Sequence, residues 1–527
     1  MSQSANDRSA TDRRYLFLTV FVAGMSTLAV EFTASRLLQA VYGTSNIVWA
    51  NVIGLVLLSL TIGYFIGGRL ADRRPDAFLF YALVSVAGFA AVFFLLLTSV
   101  VLRGAAGALA ALNVGAVAGS LLLVVLALVV PVTLLGCLSP FAVRLAVRDV
   151  AEAGRVSGRI YAVSTLGSLL GTYLPVLVVI PLAGSRRTAV IFGVLLLAVG
   201  LVGAWRARRP APLALLALPL LLVPVVALGL RGGIKAYDGQ LYETESAYNY
   251  IQVLRQDDCN YLLLNEGQAY HSFYCDDGRV PTVSVWSIML AAPYFVADAR
   301  PPQRVAVVGL AAGTIPKQLT RVFGPIAIDG IELDPAVVEV GRQYFALNEP
   351  NVRAIIGDGR YALAGLSGPY DLITVDAYKV PYIPWHLTTR DFFAEAAARL
   401  SETGALAINV GGAPGDRRLI DGITATLLTV FPTVHAIDVP GTLNTILVAT
   451  RQPTTPDALA ANLAALPPDA DPLLRDALRT ATANLAPVGA GGVVFTDDHA
   501  PVETISDSIV IRYLLETGPG GLGTLGQ

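Results

Sequence analysis

Two architectures follow one another in this chain: a multi-span α-helical membrane domain, then an α/β domain built on a parallel sheet. Three observations predict them. The chain is 54% hydrophobic and only 14% charged, with a mean hydropathy of +0.61, whereas an ordinary soluble domain carries about 25% charged residues. Apolar runs of spanning length crowd the first 232 residues and stop at the Arg231-Gly232-Gly233 break. Beyond it, short apolar strands alternate with amphipathic helices, which is the pattern of a parallel sheet covered on both faces.

With 527 residues the chain exceeds one ordinary domain. About seven apolar runs, near 15–35, 47–68, 78–102, 115–139, 160–183, 188–205 and 212–230, approach the ~20 residues that cross a bilayer. The first is too long for a signal peptide and reads as a retained anchor. Arginines gather before it (Arg8, Arg13, Arg14) and after the second (Arg69, Arg73, Arg74), fourth (Arg144, Arg148, Arg155) and sixth (Arg206, Arg208, Arg209). The positive-inside rule then places the N-terminus in the cytoplasm. Seven crossings leave the C-terminal half outside, and an eighth, for which the uncharged stretch 104–143 has room, returns it. The expected location is the cell membrane, multi-pass, with the lipid bilayer as partner. Glu31 lies within the first run with Arg36 five residues on, either as an ionic pair lining a polar path or as a structural pair. Gly63, Gly67 and Gly68 in the second read as a helix-packing face.

Charge and cysteine usage exclude two classes. A net charge of -2 and a pI of about 6.1 leave no basic footprint for nucleic acid. Cys137, Cys259 and Cys275 match no zinc spacing, and His271, His386, His435 and His499 match no metal motif, so no metal is expected.

The soluble half opens, over 233–300, as a small β-hairpin subdomain: YNYIQVLRQD, CNYLLLNEG and QAYHSFYCDD alternate, with turn chemistry at 265–268. Cys259 and Cys275 are nearly equidistant from that turn. They either face each other as a cross-strand disulfide in an oxidising compartment or stay as two thiols in a reduced cytosol.

The stretch Val305–Asp334 organises the next segment, 301–452. Its first strand, VAVV, meets a glycine turn (Gly309, Gly313), and its second ends in Glu332. Glycines there let a backbone approach a nucleoside, and an acid about 20 residues on can accept both ribose hydroxyls. Strands are expected near 305–309, 327–331, 352–356, 371–376, 405–410, 433–438 and 444–450, with helices near 314–322, 335–346, 389–400 and 417–430. This makes the segment Rossmann-like, of the methyltransferase type, with ligands at the carboxyl ends of the strands. Gly309/Gly313, Glu332, Asp358 and Asp376 stand at those ends. Asp358 also reads as a helix N-cap and Asp376 as a turn residue. Asp334 before Pro335 reads as an N-cap with proline at N1. Residues 453–527 form a linker-like helical extension and a flexible tail. Within it FTDDHAPVET groups Asp497, Asp498, His499 and Glu503 as a lid, a metal clip or a solvated turn.

At VAVVGLAAGT, IELDPAVVEVGRQYF, VRAIIGDGRYAL and YDLITVDAYKVPYIPWHLTTRDFF the chain resembles the polyamine aminopropyltransferase (spermidine synthase) family, over about 237–450. The segments TLAVEFTASRLLQAVYGTSNIVW, GYFIGGRLADRRP and TDDHAPVE resemble the membrane-bound, fused members. The resemblance implies transfer of an aminopropyl group from decarboxylated S-adenosylmethionine, a cosubstrate rather than a tightly bound cofactor, to a small-molecule amine such as putrescine. Asp376 would accept the proton, Glu332 would hold the ribose, and Asp358 with Gly359 would meet the adenine. Asn249 falls where the family has a glutamine near the nucleoside. The chain departs from the family at Ala312, where an aspartate binds the aminopropyl amine; at Lys379, where a second acid stands; and around Trp286, where a Tyr-His-Glu motif stands. Two alternatives stay open: a methyltransferase using S-adenosylmethionine itself, and a transporter or binding protein whose sheet senses a nucleoside or polyamine. A homo-oligomer is also left open.

Overall fold

The structure is a computed structural model that describes residues 2–42, 46–111, 121–207, 213–235, 237–265, 269–378, 382–489 and 491–517. Lys379, the 266–268 turn and the last residues of the tail lie outside the described residues. The chain divides into two compact units, Met1–Tyr237 with Thr244–Tyr250, and Asp238–Glu243 with Ile251–Gln527.

The first unit is helical. Six described helices are long and apolar enough to cross a membrane: Asp12–Ala40, Val48–Arg73, Ala77–Val101, Leu121–Ala146, Val150–Ala183 and Ser185–Ala207. The seventh expected run forms a 17-residue helix, Leu213–Gly229, at the short end of the spanning range. Small residues let backbones touch. A Cβ on Gly63 would lie 2.3 Å from the carbonyl of Thr133 and one on Gly67 2.4 Å from that of Cys137, while Gly68 faces open space but for Pro140. The guanidinium of Arg36 donates to the carbonyls of Ser246 and Tyr248, in the turn that packs with this unit. The carboxylate of Glu245, in the same turn, accepts from the Ser185 N–H at 2.6 Å and from its hydroxyl.

The second unit starts with a four-stranded sheet in the order β1 (Gln240–Glu245), β2 (Tyr250–Gln256), β3 (Cys259–Leu264), β4 (Tyr270–Cys275). The β3–β4 register sets Cys259 directly opposite Cys275, and the two form a disulfide. The bridge closes a loop of 16 residues in sequence, a length at which a native disulfide contributes about 3 kcal/mol by restricting the unfolded chain. Replacing both cysteines by serine is therefore expected to lower the stability of this unit by about that amount, measured by denaturant unfolding with and without reductant.

An eight-stranded sheet follows, made of β5 (Arg304–Val308), β6 (Ala327–Glu332), β7 (Val352–Ile356), β8 (Tyr370–Val375), β9 (Leu400–Gly411), β10 (Thr433–Asp438), β11 (Asn444–Thr450) and β12 (Leu485–Ala486). Their spatial order is β12-β10-β11-β9-β8-β5-β6-β7. The sheet is mixed, which corrects the expectation of a wholly parallel one. The neighbours β9-β8-β5-β6-β7 pair in parallel, but β11 runs antiparallel to both β9 and β10. Residues 439–443 alone join β10 to β11, too short for the crossover that a parallel neighbour needs.

Both faces are covered, and β5 shows why its sequence is continuously apolar. Ala306 and Val308 enter one core with Phe392, Phe393 and Ile423, while Val305 and Val307 enter the other with Phe295, Leu319 and Leu478. The helices Pro456–Ala464 and Pro472–Ala483 bury Leu459, Leu473 and Leu478 in that second core. They are the one or two amphipathic helices that the sequence reads within a linker, and they pack as a layer of the fold.

Candidate active site

The sheet reverses its winding beside β5, whose neighbours are β6 on one side and β8 on the other. Connections leave to opposite faces at such a point, and a crevice opens at the carboxyl ends of the strands. Four adjacent ends meet there. Gly309 follows β5, Glu332 closes β6, Asp358 follows β7 and Asp376 follows β8.

The glycine turn is held on both sides. The N–H groups of Gly309 and Leu310 donate to the Ile331 carbonyl at 3.0 and 2.9 Å, and the Asp376 N–H donates to the Val308 carbonyl at 2.9 Å. Gly309 and Gly313 both have φ of +93°, a region that side chains other than glycine's rarely tolerate. Glu332 is oriented by this turn: one carboxylate oxygen accepts the Ala311 N–H at 2.9 Å and the other the Asp334 N–H at 3.0 Å. Each oxygen keeps a further lone pair, so two ligand hydroxyls can still be received. Burial raises the Glu332 pKa, and those backbone donors oppose it.

Asp358 is committed on both oxygens. One caps the helix Gly359–Gly365, accepting from the Arg360 and Tyr361 N–H groups at 3.1 Å each, and the other meets the His386 ring nitrogen at 2.8 Å. Gly359 lets this helix start against β5, since a Cβ there would lie 2.6 Å from Val308. Capping and His386 together hold the Asp358 pKa down against partial burial.

Asp376 is recessed. Its carboxylate accepts from the Asn409 amide at 2.9 Å. Burial raises its pKa, and hydrogen bonding from Asn409 and Trp286 pulls the other way. Tyr378 braces the same corner, donating to the Asn409 carbonyl at 3.1 Å and accepting from the Gly411 N–H at 2.6 Å.

Gly309, Gly313, Glu332, Asp358, Gly359 and Asp376 thus belong to one end of one sheet. Asn249 does not: it closes the β1–β2 turn, exchanging hydrogen bonds with Ser246 at 2.8 Å, and packs with the helical unit. Ala312 is fully buried among Ile251, Val253 and Phe345, its N–H donating to the Ser272 hydroxyl at 2.9 Å. Sequence reasoning did not assign His386 or Asn409. Asn409 is one alternate position of an apolar strand, and a polar residue at a core position is the signal that could have found it. The TDDH loop is the solvated turn that the sequence offers: Asp497, Asp498 and His499 are exposed, and Asp497 takes a two-pronged contact from Arg360 at 2.8 and 2.9 Å and one from Thr389 at 2.7 Å. Among the described residues no group of three or more His, Cys, Asp or Glu side chains is placed to hold a metal ion.

Comparison with known proteins bears on this half of the chain. No family model matches. The chain is 29% identical over 214 residues to a probable polyamine aminopropyl transferase of Bifidobacterium longum, covering 40% of this chain and 47% of that one. It is 34% identical over 143 residues to the polyamine aminopropyltransferase of Vibrio vulnificus, covering 26% and 47%. The C-terminal half is spermidine synthase-like. The chain spans about half the length of these curated relatives. Similarity also reaches the human eEF1A lysine and N-terminal methyltransferase, 29% identical over 175 residues, 30% of this chain and 25% of that one. Among solved structures, a probable spermidine synthase from Corynebacterium glutamicum aligns with a TM-score of 0.38 at 19% identity, covering 43% of this chain and 85% of that one. The Thermotoga maritima spermidine synthase aligns at 0.34 and 16%, covering 42% and 77%. The spermidine synthase-like half carries Glu332, Asp358 and Asp376 at its strand ends and Ala312 in the turn after β5.

Proposed function

We propose that this protein is a membrane-anchored transferase that moves an aminopropyl group from decarboxylated S-adenosylmethionine to an amine such as putrescine. The observation that carries the reading is that a glycine turn, Glu332, Asp358 and Asp376 stand at the carboxyl ends of four adjacent strands at the switch point of the sheet. Glu332 receives the ribose hydroxyls, Gly309 and Gly313 admit the donor's backbone-side approach, and the Asp358–Gly359 turn borders the adenine. The acceptor nitrogen attacks the carbon bonded to the sulfonium. The new C–N bond forms as the C–S bond breaks, and methylthioadenosine leaves with the sulfur electron pair. The nitrogen's proton passes to Asp376, a recessed carboxylate that burial makes more basic than an exposed one. The sulfonium is already activated, so positioning supplies the rest.

One observation favours a second reading, a methyltransferase on the same sheet. Ala312 presents no acid to repel a donor that keeps its carboxylate, as S-adenosylmethionine does, and it lies in an apolar cluster. Calorimetry of the purified full-length protein separates the two. The aminopropyl reading expects saturable binding of decarboxylated S-adenosylmethionine and methylthioadenosine, and transfer to putrescine. Tighter binding of S-adenosylmethionine, with methyl rather than aminopropyl transfer, would replace it with the second reading.

The Cys259–Cys275 bridge favours the oxidising side of the membrane for the sheet unit. Six spanning helices and Leu213–Gly229, starting from a cytoplasmic N-terminus, lead to that side. A reporter enzyme active only outside the cytosol, fused at the C-terminus, is expected to be active. An inactive reporter, with an active one after a fusion following Ala207, would return the unit to the cytoplasm.

A further inference from the structure

Away from the strand-end crevice, the second unit holds a separate cleft of about 470 Å³ between β4, the helix Thr314–Phe323 and the 346–349 loop. None of the six strand-end residues lines it. Gln318 does, and its side chain is fully buried with neither amide nitrogen nor amide oxygen hydrogen-bonded. Buried amides are almost always paired, and one left bare loses its hydration without return. The neighbouring Glu349 shows the same deficit: one carboxylate oxygen pairs with Lys317, while the other is buried without a partner. Two unmet acceptors and one unmet donor therefore belong to residues that line the cleft.

The other lining groups are of opposite sign. Arg279 and Arg321 line the cleft with donors to spare. Arg279 uses its Nε on Asp277 at 2.6 Å and one terminal nitrogen on the Asp257 carbonyl at 2.8 Å, and Arg321 uses its Nε on Asp471 at 3.1 Å and one terminal nitrogen on the Gly278 carbonyl at 3.3 Å. A guanidinium carries five N–H donors in a planar fork that matches a carboxylate. Lys317 pairs with Glu349 and sits 5.6 Å from the Tyr274 ring centroid, while the second Glu349 oxygen stays bare.

We propose that this cleft binds a small zwitterion of amino-acid type, its ammonium received by Glu349 and the Gln318 carbonyl and its carboxylate by Arg279 and Arg321. The cleft is large enough for such a molecule and supplies both signs of charge. A diamine meets the two arginines as like charges, and a dicarboxylate leaves the bare acceptors unmet. The inference is independent of what the strand-end crevice transfers.

The test is calorimetry on the full-length protein in detergent, with L-methionine, L-arginine and L-glutamate as probes and with cadaverine and glutarate as single-sign controls. At least one amino acid is expected to bind saturably at millimolar concentration or below, and Arg279→Ala and Gln318→Leu are each expected to weaken it at least tenfold. Methylthioadenosine binding is expected to stay unchanged in both variants. Arg279 is an exposed side chain, so its variant keeps the test open if Gln318→Leu fails to fold. The proposal is overturned if no amino acid binds, if either control binds as tightly as the amino acids, or if neither substitution changes the affinity. It is also overturned if Gln318→Leu raises thermal stability while amino acids give no heat, which would make the bare amide a packing defect.

Discussion

Replacing Asp376 by Asn is expected to lower the rate of group transfer by about 10²–10⁴-fold, the usual contribution of a positioned general base. Affinity for methylthioadenosine is expected to change by no more than about twofold, because ribose and adenine are held elsewhere in the proposal. The substitution keeps the size of the side chain and removes only its capacity to take a proton. Single-turnover rates together with calorimetry check the split, and turnover equal to the unsubstituted protein would remove Asp376 from the chemistry. The pH profile gives an independent readout. Burial lifts the folded pKa of Asp376 above its ordinary value of 3.8, so between those two points the folded chain retains a proton that the unfolded chain has lost. The stability associated with this group therefore falls as pH rises through that window. Activity rises across the same window, since the base works only when ionised. The acid limb of the rate profile is expected above the ordinary carboxylate range and is expected to be absent from the residual activity of Asp376→Asn.

Gly309→Ala is expected to damage the sheet unit severely. A Cβ at Gly309 would sit 2.3 Å from the carbonyl oxygen of Asp376, and φ there is +93°. Backbone strain and overpacking each cost about 1–3 kcal/mol, and here they act together because the obstruction is backbone that cannot rotate away. A loss of about 3 kcal/mol or more follows, accompanied by loss of methylthioadenosine binding, since the turn that carries the Ala311 N–H to Glu332 must shift. Gly365→Ala is the control: nothing lies within 4 Å of its added carbon. Denaturant unfolding that shows equal, small effects for both variants would mean that the turn relaxes freely.

Much of the strand-end geometry was legible because it is local. Val305–Val308 followed by Gly309 and Gly313, and Ile328–Ile331 followed by Glu332, each state a strand and its end within about ten residues, and parallel pairing then aligns the ends. The Asp334–Pro335 cap was legible for the same reason, and Asp334 accepts the Ala336 N–H at 3.0 Å. What surrounds those residues was not. Asn409 reaches Asp376 from 33 residues away and His386 reaches Asp358 from 28, and no pattern within a single element encodes either meeting.

The amino-acid sequence alone determined that the chain joins a set of spanning-length helices to an α/β sheet, and that glycine and acids end successive strands, because hydropathy and side-chain period are properties of consecutive residues. Only the tertiary structure decided that β11 enters the sheet antiparallel, that Cys259 faces Cys275, that Asn249 packs with the helices, and that Gln318 is buried without a partner. Those outcomes depend on which strands and side chains distant in sequence come to lie together, and pairing between distant segments is chosen by the packing of the whole unit.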